Sequence, residues 1–155
     1  MIKEVMVNLQ ELEKRIRVLE DIEAIKKLHR EYVYALASQQ WDDMLDCFAD
    51  DGIADIWQWG PRKGRKEIED LFKNTFNGRI LPTHGHFVTQ PIISVDREMA
   101  EGYWILYLFL PEPEVKWIQG RHDCTYVKVD GKWKFSYLKF TRPWPAPEVT
   151  TKGSD

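Results

Sequence analysis

Apolar residues at Ile2, Val5, Leu9, Leu12, Ile16 and Leu19 lie alternately three and four apart, with Glu, Lys, Arg and Gln between them. That spacing predicts a helix with a narrow apolar seam. Such a seam either packs on the rest of the chain or joins a second copy. A further stripe, Ile22, Ile25, Leu28/His29, Tyr32 and Leu36, follows Asp21, which either caps a new helix or lies inside one continuous helix. Trp41 to Phe48 reads as a short helix, and Asp50-Asp51-Gly52 as a turn before a strand from Ile53 to Trp59 that Gly60-Pro61 ends. Lys66 to Phe76 is again helical, with Ile68, Leu71, Phe72 and Thr75/Phe76 on one side.

From His84 onward the pattern turns to strands: His84 to Val95, Met99 to Leu110, Val115 to Val129 and Lys132 to Arg142. Asp130-Gly131 is a two-residue hairpin turn, and Asp96-Arg97-Glu98 and Pro111 to Glu114 supply the other connectors. Helices followed by long antiparallel strands predict an α+β fold, a bent sheet with three helices on its concave face. A sheet and helices so arranged enclose a pocket. The stretch from Pro143, with three prolines in five residues, reads as an extended arm.

Composition sharpens the pocket. The 155 residues include 7 Trp, 6 Tyr and 7 Phe, and this 13% of aromatics is more than an ordinary core of this size requires. An aromatic-lined cavity would absorb the surplus, with Trp57, Trp59, Phe87 and Trp104 as wall candidates. Net charge is -3 with the signs mixed along the chain, which gives no basic stripe for nucleic acid. Ile105 to Leu110, like every other apolar run, falls far short of the roughly 20 residues a membrane span needs. Residues 1 to 30 carry charges throughout without a signal-peptide apolar segment, and Cys47 and Cys124 are too few for a disulfide framework. A cytoplasmic protein with ordinary thiols is expected.

Few residues can carry chemistry. In an extended strand His84 and His86 share one face with Val88, and Phe87 takes the other. Two such histidines offer a base and a donor, or are hydrogen-bonded core residues. A third metal ligand would have to come from His122, Asp55 or a Glu at no recognised spacing, so no metal is expected. Asp55 shares a strand face with Ile53, Trp57 and Trp59; turned inward it is an acid/base candidate of raised pKa, turned outward a surface carboxylate. Tyr32 continues the apolar stripe and offers an inward hydroxyl. Arg142 closes the last strand, where it either binds a substrate oxygen or caps the sheet edge. No glycine-rich phosphate loop is present, and no nucleotide or other cofactor is expected.

Several of these segments together resemble the nuclear transport factor 2-like superfamily, and within it the SnoaL-like and scytalone dehydratase-like enzymes. Asp21 to Lys26 followed by Tyr32 is similar to the bile acid 7α-dehydratases. His86-Phe87-Val88, the Asp130 to Phe135 hairpin, and Leu138-Lys139 with Arg142-Pro143-Trp144 resemble the scytalone dehydratases. The resemblance spans residues 20 to 144 and implies a cone-shaped curved sheet enclosing a pocket. It further implies a cofactor-free lyase or isomerase acting on a small hydrophobic cyclic or polycyclic compound. His86 falls at the catalytic histidine position, Tyr32 and Arg142 at those of an active-site tyrosine and arginine, and His122 at a pocket-lining position held by asparagine in the scytalone enzymes. The chain departs at Ala37, where both enzymes carry the aspartate that orients their histidine, and at Ile56, which corresponds to a second tyrosine in the scytalone dehydratases. Asp55 is the nearest carboxylate available as a substitute.

The expected catalytic set is therefore His86, Tyr32, Asp55 and Arg142. His84, Trp57, Trp59, Phe87, Trp104 and His122 are expected to bind the substrate. A non-catalytic ligand-binding or accessory-subunit module of the same fold, or a polyketide-cyclase-type aldol catalyst, would use the same cavity. The expected organisation is a helical extension over 1–20, a cone domain over 21–144 and a tail over 145–155. The resemblance implies a homotrimer, with a dimer through the open sheet as the alternative.

Overall fold

The computed structural model describes residues 2–76 and 78–142, with side chains from residue 8 onward. Both apolar stripes of the first 37 residues lie on one continuous helix, α1 (Ile2–Ala37), of 36 residues. No glycine or proline interrupts it, and at 1.5 Å per residue it is about 54 Å long. Asp21 sits within this helix rather than capping a second one. Its carboxylate accepts from Trp133 Nε1 at 2.9 Å and from Lys128 Nζ, tying the middle of α1 to the sheet. Beyond that point α1 packs through Ile25, Leu28, Tyr32, Val33 and Leu36, all buried.

Five short elements follow. They are α2 (Trp41–Leu45), β1 (Phe48–Ile56), a 3-10 turn (Trp57–Trp59), β2 (Pro61–Lys63) and α3 (Gly64–Asp70), the last running into a π-helical turn over Leu71–Thr75. The expected strand from Ile53 to Trp59 therefore begins earlier and stops at Ile56. Asp50-Asp51-Gly52 is not a turn between elements but an irregular stretch inside β1, where the register against the last strand shifts between Phe48 and Ile53. The four long strands fall close to their expected places: β3 (Gly85–Asp96), β4 (Met99–Leu110), β5 (Lys116–Val129) and β6 (Lys132–Thr141).

The six strands form one unclosed sheet in the order β2-β1-β6-β5-β4-β3, antiparallel throughout except where β1 runs parallel to β6. Asp130 and Gly131 both take positive φ, +48° and +76°, as a two-residue hairpin turn between right-twisted strands requires. Bulges bend the sheet. One lies in β3 between Thr89 and Ile92, with Gln90 at φ +50°, and another in β6 opposite Thr125/Tyr126. The second bulge changes the parity of β6, so that Trp133 and Phe135 face inward on one side of it and Leu138 on the other. The core, centred on Ile25, Tyr32, Ile68, Phe72, Tyr126, Phe135 and Leu138, lies between the concave face and the helices. This is the expected α+β cone. Pro143, Trp144 and the 145–155 tail lie outside the described residues.

Candidate active site

At one end of the concave face α1, the 3-10 turn, the π-helical turn and strands β3 to β6 surround a cavity of about 260 Å³. Tyr32 and Leu36 supply its helical wall, Trp57, Trp59 and Phe76 its aromatic rim, and His86, His122 and Phe140 its sheet side. Phe140 can lie across β5 because residue 120 is glycine; a Cβ there would meet the Phe140 ring at 2.3 Å. At the rim the Arg142 guanidinium stacks 4.6 Å from the centre of the Trp57 ring, and Arg79 stacks 5.1 Å from that of Trp59. Trp57 and Trp59 both line the cavity because the 3-10 turn, with Trp57 at φ +43°, breaks the strand alternation that would have set their direction.

His86 enters the cavity from the start of β3. Burial pushes its imidazole down to about 4, so that the ring is neutral at pH 7. Its Nδ1 is sealed from solvent and has no hydrogen-bond partner among the described residues. His122, on β5, is almost fully buried, and burial, with His86 as a further cause, pushes it down to about 3. Its Nδ1 lies 2.9 Å from Nε2 of His29 on α1, which is 0% exposed and likewise held neutral by burial. His29 Nδ1 in turn meets the Tyr126 hydroxyl at 3.1 Å, and Trp104 Nε1 donates to that hydroxyl at 2.9 Å. The Tyr32 ring stands edge-on to both histidines, and burial raises its phenol far above the usual range, which keeps the O–H as a donor.

Several expected positions are corrected. Asp55 does not face the cavity. Its neighbours Ala54 and Ile56 point inward, and its carboxylate lies on the outer face, accepting from Tyr137 Oη at 2.7 Å with Lys139 Nζ at 3.6 Å. It cannot replace the aspartate absent at Ala37, and among the described residues His86 has no carboxylate partner. Phe87, opposite in parity to His86, is half exposed on the outer face against Trp117. Trp104 is buried beneath the cavity, stacked 4.1 Å from His29, rather than forming its wall. His84 precedes β3, in a turn where its Nδ1 accepts from the Leu81 amide at 3.3 Å, and it does not line the cavity. The cavity thus gathers His86, Tyr32, His122, Trp57 and Trp59, with Arg142 at its rim.

His29 and Tyr126 were missing from the expected set. Their signal was present: His29 sits three residues before Tyr32 on the inward stripe, and Tyr126 four residues after His122 on the same strand face. Among the described residues, no group of three or more His, Cys, Asp or Glu side chains could hold a metal ion. No helix there is long and apolar enough to cross a membrane.

The cone, its one-sided core and its polar-bottomed cavity define a pocket-bearing α+β protein. Residues 17–139 match the SnoaL-like domain, and the chain belongs to that family. Among solved structures it is similar to a nuclear transport factor 2-like protein with a cystatin-like fold from Novosphingobium aromaticivorans. The two are 19% identical, with 90% of this chain and 92% of the other covered and a TM-score of 0.79. A provisionally named scytalone dehydratase from the same organism shares 20% identity, with 83% and 91% covered and a TM-score of 0.70. The hexachlorocyclohexane dehydrochlorinase LinA-type3 from Novosphingobium barchaimii shares 22%, with 85% and 92% covered and a TM-score of 0.74. At these identities the likeness shows the fold.

Proposed function

We propose that the chain is a cofactor-free lyase or isomerase for a small, apolar, cyclic carbonyl compound, with His86 as its general base. The observation that carries this is the His86 ring, held neutral by burial, lining an aromatic-walled cavity. A base must hold a free lone pair at working pH and sit where water is scarce, and His86 meets both conditions. His86 takes a proton from the carbon beside the carbonyl, and the C–H electron pair moves onto the carbonyl oxygen as an enolate. Return of that pair expels a β-hydroxyl, which leaves as water with the proton His86 carried. Delivery of the same proton to another carbon gives the isomerase outcome. The volume of about 260 Å³ lies just under the common range of about 300–1,000 Å³ for ligand pockets, which favours one or two rings over a larger polycycle.

The test is a screen of small hydroxylated cyclic ketones for loss of water or movement of a double bond, with His86→Ala beside the native chain. A base of this kind contributes about 10²–10⁴-fold, so turnover should fall by that factor while the fold persists. Equal turnover in both proteins would end the proposal. The missing carboxylate favours one competing reading, a non-catalytic ligand-binding module. On that reading the same ketones bind, neither protein turns them over, and His86→Ala changes affinity alone. Self-association belongs to the proposed assembly, as a homotrimer or as a dimer, because Leu9, Leu12, Ile16 and Leu19 on the seam of α1 are exposed.

A further inference from the structure

Beneath the cavity, His122, His29, Tyr126 and Trp104 form a chain whose direction follows from the chemistry of its members. Burial keeps both imidazoles neutral, so each ring has one N–H and one lone pair. The Trp104 indole can only donate, and it occupies one lone pair of the Tyr126 oxygen. Tyr126 has a single proton to place. Its neighbours are His29 Nδ1 at 3.1 Å and the thiol of Cys124, and sulfur is a weak acceptor. The proton therefore goes to His29 Nδ1. His29 must then carry its own proton on Nε2, and it donates this across 2.9 Å to His122 Nδ1. His122 is left with its proton on Nε2, the one ring nitrogen still available to the cavity that His122 lines. The reverse polarity would leave the buried Tyr126 O–H with only the thiol to accept it, a weaker acceptor than an imidazole lone pair.

We propose that His122 presents a fixed Nε2–H to the substrate's carbonyl oxygen, and that His29, Tyr126 and Trp104 are positioning residues that hold it in this tautomer. The proposal rests on the reading of the cavity as a proton-abstraction site, and it gives that site its second half. His86 removes the proton, and His122 stabilises the oxygen on which the negative charge collects. A neutral imidazole suits this task, because it donates a hydrogen bond without surrendering its proton to the enolate. The direction of the chain also separates the two histidines: the lone pair of His122 is occupied by His29, whereas no side chain among the described residues hydrogen-bonds to His86. The substrate class this arrangement fits is a compound with an oxygen that gains charge during reaction, a ketone or an ester-like carbonyl, rather than a hydrocarbon or a halocarbon.

Ring tautomers are read directly in long-range ¹H–¹⁵N correlation spectra of the ¹⁵N-labelled full chain at pH 7, with the four histidines assigned by single substitutions. The expected result is a protonated Nε2 and a bare Nδ1 in both His29 and His122. Tyr126→Phe removes the hydroxyl that fixes the direction, so the His122 signals should shift toward a mixture of tautomers. With a turned-over ketone in hand, Tyr126→Phe should lower kcat about tenfold with KM little changed, and His122→Phe should lower it about 10²-fold, as removal of an oxyanion donor does. A protonated Nδ1 on His122 in the native chain overturns the proposal, and so does a His122 tautomer that Tyr126→Phe leaves unmoved. Failure of the underlying reading is distinct. If His86→Ala costs no turnover while both tautomers are as expected, the donor assignment stands and the proton-abstraction step falls.

Discussion

Asp55 shows how one backbone irregularity can misplace a charged residue. Strand alternation carried from Trp57 and Trp59 back to Asp55 puts all three on one face, yet β1 ends at Ile56 and the tryptophans reach the cavity from the 3-10 turn. Asp55 instead belongs to the outer face, with Tyr137 and the half-exposed Lys139. Asp55→Asn keeps an acceptor for the Tyr137 hydroxyl and loses only a partly solvated ion pair. It should cost under about 1 kcal/mol in urea unfolding and leave turnover within about twofold of the native value. A drop of 10²-fold in kcat would return Asp55 to the chemistry. His86 and Tyr32 were legible because each continues a regular period, alternation in β3 and the 3.6-residue stripe of α1. The His29–His122–Tyr126 chain was not, because it is a contact across 93 to 97 residues that no local pattern encodes.

The same distinction between local and long-range information runs through the elements. The long strands and the Asp130-Gly131 turn were readable from alternation and turn chemistry, whereas the bulges and the parallel β1–β6 pairing arise from closing the sheet around its core. The first half of α1 poses the opposite problem, a clear pattern with nothing on it. Residues 8–20 are exposed throughout, with Leu9, Leu12, Ile16 and Leu19 between 45% and 62% accessible. In heptad terms Leu9 and Ile16 fall at a, Leu12 and Leu19 at d, and Arg15 at g stands five residues before Glu20 at e, the offset at which parallel helices pair opposite charges. On the proposed self-association, a second copy would cover this seam. Leu12→Glu with Ile16→Glu, made in the full chain, should leave the cone folded, since neither side chain packs on it. Losing about 1.5–3 kcal/mol for each buried aliphatic, at about tenfold per 1.4 kcal/mol, the double variant should dissociate at micromolar concentration. Light scattering or sedimentation gives the masses. An unchanged mass for the variant would show that the seam does not hold the assembly.

On the scale of the whole molecule, building a cavity from the partly buried His86 over the buried His122 and His29, all held neutral, makes the fold sensitive to acid. His86 is pushed down to about 4 and His122 to about 3, with His29 also well below its ordinary value, while an unfolded chain binds those protons near pH 6.5. Between pH 6.5 and about 4 the unfolded state therefore holds more protons than the native one. Stability must rise with pH across that window and be lost as pH falls through it. The slope is about 1.4 kcal/mol per pH unit for each histidine that is protonated only when unfolded. Carboxylates held low by a partner, such as Glu23 beside Lys26 and Glu69 beside Lys73, act on the same side but below their ordinary value of 4.5, so the interval from 6.5 to 4.5 reports the histidines. Urea unfolding at half-unit steps from pH 7 to pH 5 should show this loss, and His86→Ala should remove about one third of the slope. A flat stability profile would mean that the three rings are not held neutral in the native state. The same shifts place the acid limb of kcat/KM near pH 4, below the pH at which the fold starts to weaken. Activity lost together with native structure between pH 6 and 4.5 is thus the expected behaviour, and a reversible limb near 6.5 in fully folded protein would identify the working base as a solvated group other than His86.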